Sequence, residues 1–489
     1  MKSMIVKSTA FFAAVFLFLS VCMAHAQVMT AWSGTLNPLN QARMNHTATG
    51  LQFPIPNYPG SHSVLVAGGE INASSVLNSA EVFNYYTGLW SLTPPMIQGR
   101  TKHTATLLRD GRVLVVGGYQ FHTAQSTLSL ASAEIYDPVA NTWTATGTLN
   151  FARGEHSATL LADGTVLISG GQSCVTQGPR FTQMCTWLTS PEIFDPATGI
   201  FTALNRFPGP HGAEAASLLP NGDVLITGTL SLICTGQCFT PNDPDLYLPS
   251  LFSNQPATGL VNLFLSNPTF EVVPVYFGSH TSTTLPDGRV LIAGGYDYTP
   301  GDRVNYISFF YDSNNSQWAT TNSNMLSPRA NHTATLLYDG AVLLTGGVNR
   351  GDANLNPLST TGSVEIFNGN NVYSGIPNDS WIAGGDLCTP RSQHAAVPMI
   401  DGNVLLAGGR DNSGNPLSSV ELFVYQHSGV PATNTRFSRP SVNPSGGAGT
   451  FPVPASACPV PLASPDPTNN PGGCSGGDSV DCTAPSSSL

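Results

Sequence analysis

One phrase, written repeatedly along the chain, limits its possible folds more than any other feature. It reads "HTATLLRDGRVLVVGG" from His103, "HSATLLADGTVLISGG" from His156, "HTSTTLPDGRVLIAGG" from His280 and "HTATLLYDGAVLLTGG" from His332. Alignment on the histidine and the glycine pair gives seven units, which begin at His46, His103, His156, His211, His280, His332 and His394. Repeats of this kind stack into one body, because each unit leaves an apolar face that only a neighbouring unit can cover.

Within a unit a Thr- or Ala-rich strand meets an Asp-Gly or Asn-Gly pair: Asp110-Gly111, Asp163-Gly164, Asn221-Gly222, Asp287-Gly288, Asp339-Gly340 and Asp401-Gly402. These dipeptides predict hairpins with type I′ turns, in which both central residues need positive φ. The first unit departs from this, with "LQFPIPNYPG" in place of the short turn. A third strand follows ("AEVFN", "AEIYDP", "PEIFDP", "VEIFN", "VELFV"), and a fourth is marked by Trp90, Trp143, Phe201, Phe270 or Trp318. Four strands per unit at a period of roughly 50 to 60 residues is the pattern of a propeller blade.

The succession of a glycine pair, Glu-aliphatic-aromatic and Trp resembles the kelch repeat, over about residues 30 to 425. The resemblance implies an all-β fold, a seven-bladed kelch β-propeller of four-stranded antiparallel blades. The seventh unit stops after "VELFVY" without a fourth strand, whereas "TAWSGTL" at residues 30 to 36 has a fourth-strand Trp and no strands before it. Trp32 is therefore expected in the strand that closes the ring, which removes the free sheet edges. The organisation read from the sequence is a signal peptide over 1–26, a propeller over 27–430 and a Pro/Ser/Gly-rich, low-complexity and largely disordered tail over 431–489.

The signal rests on Lys2 and Lys7, the apolar "AFFAAVFLFLSV" and the small-residue site "AHA" ending at Ala26. A lipidated Cys22 is the weaker alternative, because Val21 is bulky for the preceding position. Export to a secreted, periplasmic or cell-surface location permits disulfides, and the eight remaining cysteines favour Cys174 with Cys185, Cys234 with Cys238, Cys388 with Cys458 and Cys474 with Cys482. Other connectivities stay open. A net charge of -11, with Lys102 as the single lysine after residue 7, argues against a nucleic-acid partner. No later stretch is apolar for long enough to anchor the chain across a bilayer. The cysteine spacings give no zinc pattern, and no metal or cofactor is expected.

Five units carry Arg-x-x-His, with Arg43, Arg100, Arg153, Arg329 and Arg391, and the same five begin their third strand with Glu81, Glu134, Glu192, Glu365 and Glu421. Units four and five lack both. Joint presence and absence predict an Arg-Glu pair inside each blade. The constant histidines are read as scaffold too, since a residue that every blade has answers a need of every blade.

Function is then sought where the repeat varies. Just before each histidine stand Asn45, Lys102, Glu155, Pro210, Ser279, Asn331 and Gln393, a polar ring expected near the central mouth. Loops from the second to the third strand, and from the fourth to the first, hold most of the irregular sequence and four aromatic candidates, Trp187, Phe239, Tyr247 and Trp381. The expectation is an exported binding protein whose long-loop face takes a glycan or a surface protein, with no catalytic residue assigned. The alternative is a carbohydrate-active enzyme, a mutarotase or epimerase using Glu155 and Lys102 as acid and base. A further resemblance, to the central domain of copper radical oxidases, rests on "SHTSTTLPDGRVLIAGG", where Ser279 stands at the position of that family's tyrosine.

Overall fold

The computed structural model describes residues 29–55, 58–85, 87–123, 126–177, 182–204, 215–228, 245–247, 260–262, 277–297, 303–349, 359–369, 376–399 and 401–426. The signal segment, the tail, His211, Pro210, Phe239, Phe270, Cys234, Cys238, Cys458, Cys474 and Cys482 lie outside them. Among the described residues there is no α-helix, hence none long and apolar enough to cross a membrane. Seven four-stranded antiparallel sheets are found there, each taking its strands in chain order from the inside out, except the last, whose outer strand is the N-terminal Met29–Leu36. Blade 2 shows the order: Thr104–Leu107, Val113–Val116, Ala133–Asp137 and Thr142–Ala145, from the axis outward. Each innermost strand neighbours those of the two adjoining blades, and that of blade 7, Ala395–Pro398, neighbours that of blade 1, Thr47–Ile55.

The ring closes through Met29–Leu36, which pairs antiparallel with Val420–Gln426. Trp32 is set opposite Phe423, the register that sets Trp90 opposite Phe83 and Trp143 opposite Tyr136. In blades 1, 2 and 3 these aromatic partners stack at 5.0, 4.9 and 4.7 Å, which is why the third and fourth strands both need a ring at this level.

The last four residues of every second strand are buried and largely apolar, because the sheet is covered on both sides. Successive residues point to opposite faces, so Val64 and Val66 pack with Leu405 and Ala407 of blade 7, while Leu65 and Ala67 pack with Val113 and Val115 of blade 2. An apolar cluster of this kind fills each of the seven blade interfaces.

The short hairpins differ from the expected turn. Leu108 accepts the Gly111 N–H at 2.9 Å and its own N–H donates to the Arg112 carbonyl at 2.8 Å, with positive φ at Gly111 and not at Asp110. This is a type I turn followed by a left-handed glycine bulge, a three-residue loop rather than type I′. The aspartate is favoured for another reason, since Asp110 Oδ1 accepts the Arg112 N–H at 3.1 Å, and Asp163, Asp287 and Asp339 repeat the contact.

The glycine pair is a packing requirement. A Cβ on Gly117, at φ +59°, would lie 2.5 Å from the Arg153 carbonyl oxygen and 2.9 Å from His156 Cε1 of the next blade. The Gly117→Ala variant is expected to lose about 2–4 kcal/mol of stability, from the left-handed backbone and the forced contact together. Gly222→Ala, at a hairpin with nothing within 4 Å, should lose only about 1–2 kcal/mol. Equal losses in chemical denaturation would overturn the packing role.

Candidate functional site

The route from outer strand to inner strand builds the centre of the molecule, and Arg-x-x-His occupies it. Arg153 is wholly buried, with Nη2 at 2.8 Å from Glu192 Oε1 and from the Ser190 carbonyl, and Nη1 at 2.9 Å from the Gly170 carbonyl. Glu192 in turn accepts the backbone N–H groups of Asn150 and Phe151 at 2.8 and 3.1 Å. Arg43–Glu81, Arg100–Glu134, Arg329–Glu365 and Arg391–Glu421 repeat the pair at 2.9, 2.7, 2.5 and 2.6 Å, all buried. The arginine backbone also joins blades, its carbonyl accepting the N–H of the preceding blade's second glycine, as Gly118 to Arg153 at 2.8 Å and Gly409 to Arg43 at 2.9 Å.

His46, His103, His156, His280, His332 and His394, which open the blades, are all buried. His103, His156 and His332 place Nε2 at 3.0, 2.8 and 3.0 Å from Thr47, Thr104 and Thr281 of the preceding blade's first strand, and His394 does so with Thr333 at 3.1 Å. His280 uses Thr227 of the second strand instead, at 2.9 Å. Burial, then the neighbouring arginines, push His46 and His156 down to about 3, and burial pushes His280 to about 4. Neutral imidazole is thus the resident form at ordinary pH. Among the described residues no three His, Cys, Asp or Glu side chains gather closely enough to hold a metal ion.

The residues before the histidines form a ring. Asn45, Lys102, Glu155, Ser279, Asn331 and Gln393 all have φ between 52° and 57°, the left-handed region that non-glycine residues rarely enter. Their backbones are linked around the axis: Asn331 N–H to Ser279 O, Gln393 to Asn331, Asn45 to Gln393, Lys102 to Asn45 and Glu155 to Lys102, at 3.0 to 3.3 Å. Since every described copy has this turn, the conformation is scaffold, whereas the side chain that it displays is free to vary. These six side chains, with the edges of His103, His156 and His280, line a cavity of about 280 Å³. Lys102 Nζ pairs with Glu155 Oε1 across part of it.

Residues 100–150 match the Kelch motif. In sequence the chain is similar to the F-box/kelch-repeat protein SKIP20 of Arabidopsis thaliana, 39% identical over 85 residues, which is 17% of this chain and 20% of that protein. In structure it is similar to a fungal alcohol oxidase of the AA5 family in complex with copper, at 17% identity and a TM-score of 0.57, over 80% of this chain and 76% of that one. A match to YjhT has 13% identity and a TM-score of 0.47, over 81% of this chain and 98% of that one. At 17% identity the oxidase structure shares the fold alone.

Around the mouth stands a second set of side chains that sequence reasoning missed. The residue after each glycine pair, among them Glu70, Tyr119, Gln172, Val348 and Arg410, forms a backbone bridge to the residue just before a ring position: Met44, Thr101, Gly154, Ala330 and Ser392. Glu70 accepts from Asn45 Nδ2 at 2.6 Å, Tyr296 from Asn331 Nδ2 at 3.1 Å, and the Tyr119 hydroxyl lies 3.4 Å from Gln172 Oε1. Burial, then Glu155, raises the Tyr119 phenol, and burial raises Glu70. The signal was available, because this position varies beside a constant motif just as the residue before the histidine does.

Short β-ribbons that follow the glycine pairs wall the same face. In blade 3, Gln172–Gln177 pairs with Thr182–Trp187, and the directly opposed Cys174 and Cys185 form a disulfide. Cys388 is also disulfide-bonded. Trp187 is half-buried on this ribbon, opposite Gln172. Trp381 is a correction: it lies in the fourth strand of blade 6, Ser380–Asp386, and not in a binding loop. It is 5% exposed, stacks on Phe367 at 4.9 Å and donates Nε1 to Ser308 Oγ at 2.8 Å. The insertion between the third and fourth strands displaced this Trp from the repeat spacing, which hid its role. Tyr247 likewise belongs to a strand, Asp245–Tyr247 of blade 4, whose fourth strand is Leu260–Asn262 and not the segment of Phe270.

Proposed function

We propose that the chain is an exported binding protein whose kelch mouth takes a hydroxyl-rich ligand, a unit of a glycan. The observation that carries this reading is the ring of six polar side chains lining the cavity, whose main-chain links hold it in place. Amide, hydroxyl, ammonium and carboxylate groups in a circle match a ligand that offers donors and acceptors in several directions. The half-buried Trp187 beside Gln172 supplies an aromatic surface at the rim. Export is supported by the signal-like N-terminus and the Cys174–Cys185 disulfide.

A glycan array probed with the mature chain tests the reading. Selective binding is expected, abolished in an Asn331→Ala, Gln393→Ala double variant and weakened at least tenfold in Trp187→Ala. A blank array from folded protein would overturn the glycan reading and favour a protein partner, the role that the Kelch motif suggests.

A second reading, an enzyme acting on sugars, is favoured by one contact, the Lys102–Glu155 pair inside the mouth, where a proton donor and an acceptor stand together. Exchange between sugar anomers accelerated by the wild type and not by Glu155→Gln would support it. The oxidase reading gains nothing from these residues, since His280 is committed to Thr227 and Ser279 replaces the tyrosine.

A further inference from the structure

Asn45 and Asn331 share the phrase Asn-His-Thr and the same left-handed turn, yet their amides meet different partners. Asn331 donates to the hydroxyl of Tyr296, a group able both to donate and to accept. Asn45 donates Nδ2 to Glu70 Oε1 at 2.6 Å. Glu70 is 3% exposed, and its other oxygen, Oε2, has no hydrogen-bond partner among the described residues. The groups that act on this carboxyl are Asn45, Lys102, Thr101 and Glu155.

An ionised carboxylate only accepts hydrogen bonds, so it draws the Asn45 Nδ2 toward itself and leaves Oδ1 turned away. A carboxylic acid also donates. Once Glu70 takes one proton from solvent, its O–H can bind Asn45 Oδ1, and the amide is free to turn over and offer Nδ2 elsewhere. The Asn45 backbone cannot follow, because the ring hydrogen bonds to Gln393 and from Lys102 hold it.

We propose that Glu70 is a positioning residue whose protonation decides whether Asn45 offers the mouth an acceptor or a donor. Burial of the carboxyl and the charge of Glu155 move the exchange toward neutral pH, whereas Asn45, Lys102 and Thr101 oppose the move. Acidification then gives the mouth one more donor and one fewer acceptor. The consequence for ligand choice rests on the mouth being the binding site; the coupling of proton to amide does not.

The test is nuclear magnetic resonance on the full mature chain labelled with ¹⁵N in asparagine and ¹³C in glutamate, titrated from mildly acidic to neutral pH. Asn45→Asp assigns the amide signal. The Asn45 side-chain resonances should shift with an inflection that coincides with that of Glu70 Cδ and disappears in Glu70→Gln, while those of Asn331 show no inflection tied to Glu70. If Glu70→Gln does not fold, coincidence of the two inflections in the wild type decides. A stationary Asn45 amide, or one that inflects apart from Glu70 or equally in Glu70→Gln, would overturn the proposal. A blank glycan array leaves this titration untouched, so the two readings fail separately.

Discussion

Lowering the pH from 7 to 4.5 is expected to destabilise this propeller far more steeply than a protein with exposed histidines. His46 and His156 fall from the ordinary 6.5 to about 3 on burial, and His103, His332 and His394 are also well depressed. The sign follows from proton uptake. Between about pH 6.5 and 3 the unfolded chain binds protons that the folded chain refuses, so stability is complete above 6.5 and drains away as the pH falls. One pKa unit is about 1.4 kcal/mol, so by pH 4.5 His156 alone withdraws on the order of 3 kcal/mol. Denaturation midpoints taken across this range should fall steeply, and His156→Gln, which keeps a polar group near Thr104, should flatten the slope. A midpoint that is level down to pH 4.5 would show that the histidines are not held neutral.

Arg153→Ala should lower stability by about 3–5 kcal/mol, because it leaves the Glu192 carboxylate buried without its cation. The same change removes the donors to the Gly170 and Ser190 carbonyls, which lie 2.9 and 2.8 Å from the guanidinium. The paired replacement Arg153→Met, Glu192→Leu should recover much of the loss, since no charge is then stranded. Chemical denaturation of the three proteins checks this, and an unchanged midpoint in Arg153→Ala would sink the pairing. Ligand binding at the mouth should survive in Arg153→Met, Glu192→Leu, because the pair lies beneath the ring and not in it.

These expectations differ in how far the sequence alone could carry them. The Arg-Glu partnership was legible because blades 4 and 5 lack both members, a correlation that needs no coordinates. The turn type was not legible. Asp-Gly is compatible with two hairpins, and the choice fell to the glycine bulge because the Leu108 N–H reaches the carbonyl of Arg112, the residue after the glycine. Trp381 was misplaced for a related reason. Strand assignment by repeat spacing fails once an insertion separates the third strand from the fourth, whereas its contact with Phe367 restores the repeat in space.

The order of residues alone dictates the blade grammar: the apolar second strand, the glycine pair, the Glu and aromatic of the third strand, the closing strand at Trp32 and the variable residue before each histidine. All of these except the closing strand, which is read from the fourth strand that the last unit lacks, are fixed by hydrogen bonding and periodicity within some fifty residues, the scale on which a repeat copies itself. The contacts that do not repeat emerge only in the folded chain. Glu70 meets Asn45 within blade 1, because the post-glycine residue folds back over the start of its own inner strand, and Lys102 meets Glu155 because neighbouring blades set the start of one inner strand beside the next. Neither pair repeats from copy to copy, so no periodicity records them, and they give the mouth its chemistry.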